Sequence, residues 1–179
     1  ATLYDRHRPV PESIEKIIIG VTTHAKNRAI DAYPWSEDSS RFCPRYIIAS
    51  TFVHGPPGIS TFTDEALGDE RVRRLADKCE VVVDQELDCM TEGVVSPGRV
   101  TVVLDNGTQH EKAVLVPAGT RTTPMSADRR EAKFMSCATR AMDGGRAQRL
   151  HGYMRRLGEQ EKLDDLWALL HSTPGNRGS

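Results

Sequence analysis

An α+β domain followed by an all-helical segment is the fold class this sequence predicts. Three observations predict it. Short β-branched runs, Ile17-Ile18-Ile19 and Val81-Val82-Val83, alternate with stretches whose apolar residues recur at helical spacing. Two further strand-like runs flank Asn106-Gly107. After "PAGTRTTP", residues 117 to 124, only helical periods remain. The expected sheet is small, of about four strands and mostly antiparallel, with helices packed on it. The expected division is an α+β domain over 1–125, C-terminal helices over 126–171 and a disordered tail over 172–179.

The elements follow in order. The chain opens on what reads as the end of a helix, stopped at "HRPVPE". It starts without methionine and without a cap, and is expected to be a piece of a longer polypeptide. "SIEKIIIGV" is the first strand, because its β-branched run is too short for a helix. "TTHAKNRAIDAYPWSEDSS", residues 22 to 40, is polar and reads as loop. Ser39 or Ser40 caps a helix that runs to His54, or the helix starts at Pro44 itself; "GPPG" ends it. Thr61 with Asp64 fits a capping box ahead of a short helix. Asp69 caps the next, in which Val72, Leu75, Ala76 and Cys79 share one face.

"EVVVD", residues 80 to 84, is the second strand, and 85–98 lacks a period and reads as loop. Asn106-Gly107 predicts a hairpin closed by a type I′ turn. Ser126 then caps a helix with Phe134, Cys137, Ala138, Ala141 and Met142 along one face. Gly144-Gly145 breaks it, and Leu150, Tyr153, Met154 and Leu157 continue at helical spacing. Leu163, Leu166, Trp167 and Leu170 form a last stripe. Short helices of this kind need a surface to pack on: the sheet, or a region outside this chain.

Composition narrows the function classes. Over 179 residues, 24 Lys and Arg meet 25 Asp and Glu, for a net charge of -1. That balance gives no electrostatic case for nucleic-acid binding. No apolar run is long enough for a membrane span. Four cysteines without CxxC spacing read as reduced, mostly buried thiols of a cytoplasmic protein, not as a disulfide framework or a zinc site. No metal and no cofactor is expected. The sequence has no phosphate loop, no HExxH and no GxSxG.

The candidate site is "RFCPRYIIAS", residues 41 to 50. Tyr46 lies near a helix N-terminus, where free N–H groups and the dipole favour an anion. Arg41 and Arg45, one helical turn apart, would offer guanidinium forks to a carboxylate. The competing reading is packing: Phe42, Tyr46, Ala49 and Val53 form a helical stripe, with the arginines solvated. His54 sits at a helix C-terminus, where capping explains it. The remaining histidines lack ligand-spaced partners, and Asp64-Glu65 and Asp164-Asp165 read as first-turn dipole partners. The "VRR" and "DRR" runs read as solvated helix faces. No catalytic residue is identified.

Taken in order, "SIEKIIIGV", "RFCPRYIIASTFVHG", "STFTDEALGDERVRRLADKCEVVVDQEL", "RVTVVLDNGT" and "VPAGTRTTPMSADRREAKF" resemble the C-terminal part of the MmgE/PrpD family, over about residues 1–170. That family includes 2-methylcitrate dehydratase, cis-aconitate decarboxylase and iminodisuccinate epimerase. The resemblance implies a two-domain subunit, usually in a homodimer. One domain is all helical and the other is a smaller α+β domain inserted before the last helices. It also implies a site between the domains for small di- or tricarboxylates. The acid–base histidine of that site belongs to the helical domain, the partner of this chain within the polypeptide. The site residue the resemblance carries over is Tyr46, heading Tyr46-Ile47-Ile48-Ala49. Where the family more often shows Phe-Ser-Leu-Pro-Tyr, this chain has Phe42-Cys43-Pro44-Arg45-Tyr46, with the proline displaced and an arginine before the tyrosine. The implied chemistry is proton abstraction next to a carboxylate, followed by loss of water or carbon dioxide, or by epimerisation.

Overall fold

A computed structural model describes residues 2–7, 9–90 and 97–171. The chain divides between Pro124 and Met125 into two compact units.

The first unit is α+β. Its helices are α1 (Thr2–His7), α2 (Thr23–Arg28), α3 (Glu37–Ser40), α4 (Pro44–His54), α5 (Asp64–Leu67), α6 (Glu70–Asp77) and α7 (Gln85–Cys89). Its strands are β1 (Ile14–Val21), β2 (Cys79–Val83), β3 (Gly98–Leu104) and β4 (Gln109–Val114), in the order β2-β1-β3-β4. β1 runs parallel to β2 and antiparallel to β3, and β3 is antiparallel to β4. The sheet is therefore mixed and mostly antiparallel, as its β-branched runs predict. The β1–β2 pair is parallel because the chain returns through α2 to α6, a crossover a hairpin cannot replace.

One face of the sheet carries the core. Ile17 lies between Cys79 and Val102, and Ile19 between Val81 and Val100. These side chains pack under α4 and α6, which bury Tyr46, Ala49 and Phe52, and Val72, Leu75 and Ala76. The opposite face is polar: Lys16 pairs with Glu80 at 2.6 Å, and the Thr101 hydroxyl donates to Glu111 at 3.0 Å. From Lys16 onward, past a register shift between Ile14 and Lys16, the alternation along β1 puts Ile17 and Ile19 in the core and Lys16 on the polar side.

Several elements differ from the sequence reading, each for a local reason. Residues 22–40, expected as loop, contain α2 and α3. Thr22 caps α2 by accepting from the Ala25 N–H, and Ser36 caps α3 by accepting from the Ser39 N–H. Both helices are too short to show an apolar period. Within 85–98, α7 forms because the Asp84 carboxylate accepts from the N–H groups of Glu86 and Leu87; residues 91–96 of that expected loop lie outside the described residues. α4 starts at Pro44, so the alternative start holds and the Ser39 or Ser40 cap does not. Thr63, not Thr61, caps α5; the Thr61 hydroxyl accepts instead from the Gly58 N–H at 3.0 Å.

The hairpin forms, with a different turn. The Gly107 N–H donates to the Leu104 carbonyl, and the Leu104 N–H donates to the Thr108 carbonyl, both at 2.9 Å. Three residues therefore bridge the strands, with Gly107 at φ 79. A two-residue type I′ turn over Asn106-Gly107 would instead link Asp105 with Thr108.

The second unit is helical: α8 (Ala127–Ala138), α9 (Gly144–Arg155) and α10 (Asp164–His171). Ser126 caps α8 as its position predicts. The helix ends at Ala138, so Ala141 and Met142 fall outside the expected stripe. The glycine pair opens α9, with Asp143 as its cap. α9 packs against both neighbours. Its Tyr153 hydroxyl donates to the Lys162 carbonyl at 2.8 Å, and the buried Arg146 donates through Nε to the Leu169 carbonyl at 2.6 Å. Trp167 remains 52% exposed, and Leu163 and Leu170 are exposed with it. The expected tail, 172–179, lies outside the described residues.

Candidate functional site

The stretch "RFCPRYIIAS" joins α3 to α4. Cys43 sits between them in extended conformation, φ -104 and ψ 97. The Pro44 ring disfavours helix at the preceding residue, so α3 and α4 cannot merge. This separates the two arginines. Arg41 is the C-cap of α3 and pairs with Asp38 at 3.0 Å, while Arg45 belongs to the first turn of α4. The expected single face with both guanidinium groups one turn apart does not form. Phe42 leaves the expected apolar stripe for the same reason and is 62% exposed.

The N-terminus of α4 is closed by its own chain. Cys43 is fully buried and its thiol donates to the Ala32 carbonyl at 3.4 Å. Burial pushes that thiol pKa up, partly offset by the Tyr46 and Arg45 backbone N–H groups directed at the sulfur. The dipole end of α4 therefore meets a buried sulfur instead of solvent.

Arg45 donates through Nε to Asp31 at 3.0 Å, and Lys26 holds the other oxygen of that carboxylate at 2.8 Å. The Lys26 hydrogen bond, with the charge of Arg45, holds the Asp31 carboxyl below the usual carboxylate range. Two cations thus share the Asp31 carboxylate, and both also act on Glu80. The Arg45 terminal amino groups make no hydrogen bond among the described residues. Lys26 and Asp31 lie in the region read as loop, and no motif marks them; Lys26 is on α2 and Asp31 in the segment that follows it.

Tyr46 is fully buried. Its ring meets Tyr33 edge-on at 5.8 Å, and its hydroxyl donates to the Thr61 carbonyl at 2.5 Å. Burial, with smaller contributions from Tyr33 and Asp69, pushes its pKa up to about 12. Tyr33 in turn donates to the Leu67 carbonyl and lies under the Arg73 guanidinium, 4.2 Å from the ring centre. A tyrosine has one proton to donate. In this arrangement the Tyr46 hydroxyl hydrogen bonds to the Thr61 carbonyl, and a carboxylate that accepted from it would have to displace that carbonyl.

His54, at the C-terminal turn of α4, contacts the Asp69 carboxylate through Nε2 at 3.0 Å. Asp69 also caps α6 and binds Arg71 at 2.8 Å; that hydrogen bond is the largest cause of its carboxyl lying far below the usual range. His54 thus ties α4 to α6. Asp64-Glu65 and Asp164-Asp165 occupy first helical turns, as expected. Of the four free cysteines, Cys43 and Cys79 are buried while Cys89 and Cys137 are exposed, so the expectation of mostly buried thiols holds for two.

A cavity of about 390 Å³ in the first unit lies between α4, the sheet and α1, with Tyr4, Ile47, Ile48, Phe52 and Val100 among its walls. Such walls cannot orient a small polycarboxylate. Arg99 borders this cavity but is taken by Asp84 at 3.1 Å, Glu86 at 2.5 Å and Glu111 at 3.7 Å. Among the described residues, no group of three or more His, Cys, Asp or Glu is placed to hold a metal ion. None of their helices is long and apolar enough to cross a membrane.

A four-stranded mixed sheet under α4 and α6, followed by a helical unit, defines an α+β domain with no catalytic constellation among its described residues. The family model for the MmgE/PrpD C-terminal domain matches residues 1–159, and the chain belongs to that family. A C-terminal domain of this kind implies an N-terminal domain as its partner. No curated protein matches the chain at a significant level.

Proposed function

We propose that this chain is the C-terminal part of a lyase or isomerase that acts on small di- or tricarboxylates by abstracting a proton next to a carboxylate. Membership of the MmgE/PrpD family over residues 1–159 is the observation that carries the reading. The reaction is dehydration, decarboxylation or epimerisation. The N-terminal helical domain supplies the histidine that moves the proton. The working form is a cytoplasmic homodimer, and the chain alone is inactive.

Within this reading, the chain forms one wall of the site. Abstraction next to a carboxylate builds enolate-like charge, which fixed cations and hydrogen-bond donors stabilise. Arg45 and Lys26 supply such charge around Asp31. Tyr46 contributes its hydroxyl when the Thr61 carbonyl releases it, and Arg41, on the exposed end of α3, is the outermost contact.

The test uses the full-length enzyme with 2-methylcitrate and cis-aconitate. Tyr46→Phe should lower kcat/KM at least tenfold while the folded fraction at assay temperature stays unchanged. Normal turnover per folded molecule in a less stable variant would remove Tyr46 from the site. Enzyme-like turnover by the isolated chain would overturn the claim that the base lies elsewhere. The second reading is a non-catalytic binding or dimerisation module. The complete burial of Tyr46 favours it, and inactivity of the full-length protein on every di- and tricarboxylate tried would support it.

A further inference from the structure

A second cavity, of about 230 Å³, lies between the turn Pro11–Ser13 and α6. Arg71, Arg74 and Lys78 line it together with one acid, Glu12, and with Pro11 and Leu75. The three cations stand at i, i+3 and i+7, on the face of α6 opposite the buried Val72 and Ala76. The sequence reading assigned these arginines to a solvated helix face. Three features separate the arrangement from such a face.

The cationic groups surround a concave volume. Two of them are held in place: the Lys78 ammonium donates to the Ile14 carbonyl, and the Arg71 guanidinium grips Asp69 through Nε and a terminal nitrogen. The third, Arg74, has no hydrogen-bond or ion-pair partner among the described residues, so its planar donor fork is available.

We propose that this cavity binds a small polyvalent anion carrying either clustered carboxylates or a phosphoryl group. Three cations face two carboxylates, Glu12 in the lining and Asp69 on Arg71, and the positive charge that remains, centred on Arg74 and Lys78, favours an anion; the volume suits a small ion, not a segment of a macromolecule. Arg74 provides the bidentate contact, with Lys78 and Arg71 as fixed charges beside it. The site does not depend on the catalytic reading, since it rests on α6 and not on the α3–α4 stretch.

The test is NMR titration of the full chain with citrate, and separately with inorganic phosphate, against sodium chloride at matched ionic strength. The expected result is saturable shifts of the Arg74 Nε–H signal and of backbone amides in Pro11–Ser13 and α6. Arg74→Gln should weaken that binding at least fivefold without changing the melting temperature. Glu12→Gln, which removes the one lining acid, should tighten it about threefold. Saturation by citrate alone assigns a carboxylate ligand, and saturation by phosphate alone a phosphoryl one. Shifts that track ionic strength equally in all three salts would overturn the proposal. So would undiminished affinity in Arg74→Gln.

Discussion

At the scale of single residues, Gly20 shows how little room the polar face of the sheet leaves. A Cβ there would sit 3.0 Å from Asp84 Oδ2 and 3.1 Å from Asp84 Cβ. Asp84 cannot simply turn away, because the same carboxylate caps α7 and binds Arg99. Gly20→Ala should therefore cost roughly 1–3 kcal/mol, the usual price of overpacking, read as a lower urea midpoint at unchanged slope. Asp69 supplies a pH signature. Its carboxyl pKa is depressed in the folded chain, so the stability it contributes is complete above the ordinary carboxylate value near pH 4 and lost as pH falls below it. Asp69→Asn keeps the capping oxygen but not the charge. Between about pH 5 and pH 2, its melting temperature should fall less steeply than that of the parent. An equal slope would show that the Arg71 and His54 contacts contribute nothing through charge.

At the scale of elements, the chain between β1 and α4 is built by caps and not by apolar faces. α3 has four residues, and what holds it is the reciprocal Ser36–Ser39 pair. No hydrophobic period of that length exists to be read, which is why 22–40 looks like loop in the sequence. The strands were legible because β-branched runs and alternation are local properties. The hairpin was legible in position and not in type, since Asn-Gly serves more than one turn, and which N–H closes the loop depends on the strand register. Gly107→Ala tests the turn. At φ 79 an added Cβ is strained, so the change should cost about 1 kcal/mol in chemical denaturation, whereas Asn106→Ala should cost less.

At the scale of the whole molecule, the first unit ends in a segment with few supports. From Leu115 to Pro124 almost every residue is exposed, and one backbone hydrogen bond, from the Gly119 N–H to the Thr123 carbonyl, spans it. Exposed turns of this kind are the preferred points of proteolytic nicking. Limited trypsin treatment should cut after Arg121, at the exposed end of the first unit, before it cuts within the helices or strands of either unit, as mass spectrometry of the first two fragments would show. A first cut within α6 or α9 would contradict the division into units.

The sequence by itself determined the α+β class, the four strands, the caps of α6 and α8, and the family. Each of these depends on neighbours along the chain or on an ordered set of segments. Only the tertiary structure decided what "RFCPRYIIAS" presents. It set Arg41 at the end of α3 and Arg45 in α4, buried Cys43 over the start of α4, committed the Tyr46 hydroxyl hydrogen bond to the Thr61 carbonyl, and placed Lys26 and Asp31 beside Arg45. The Tyr46–Thr61 and Arg45–Asp31 contacts join residues 15 and 14 apart in sequence. Hydrogen-bond partners across such distances are fixed by how helices pack on a sheet, and no local pattern of residues encodes them.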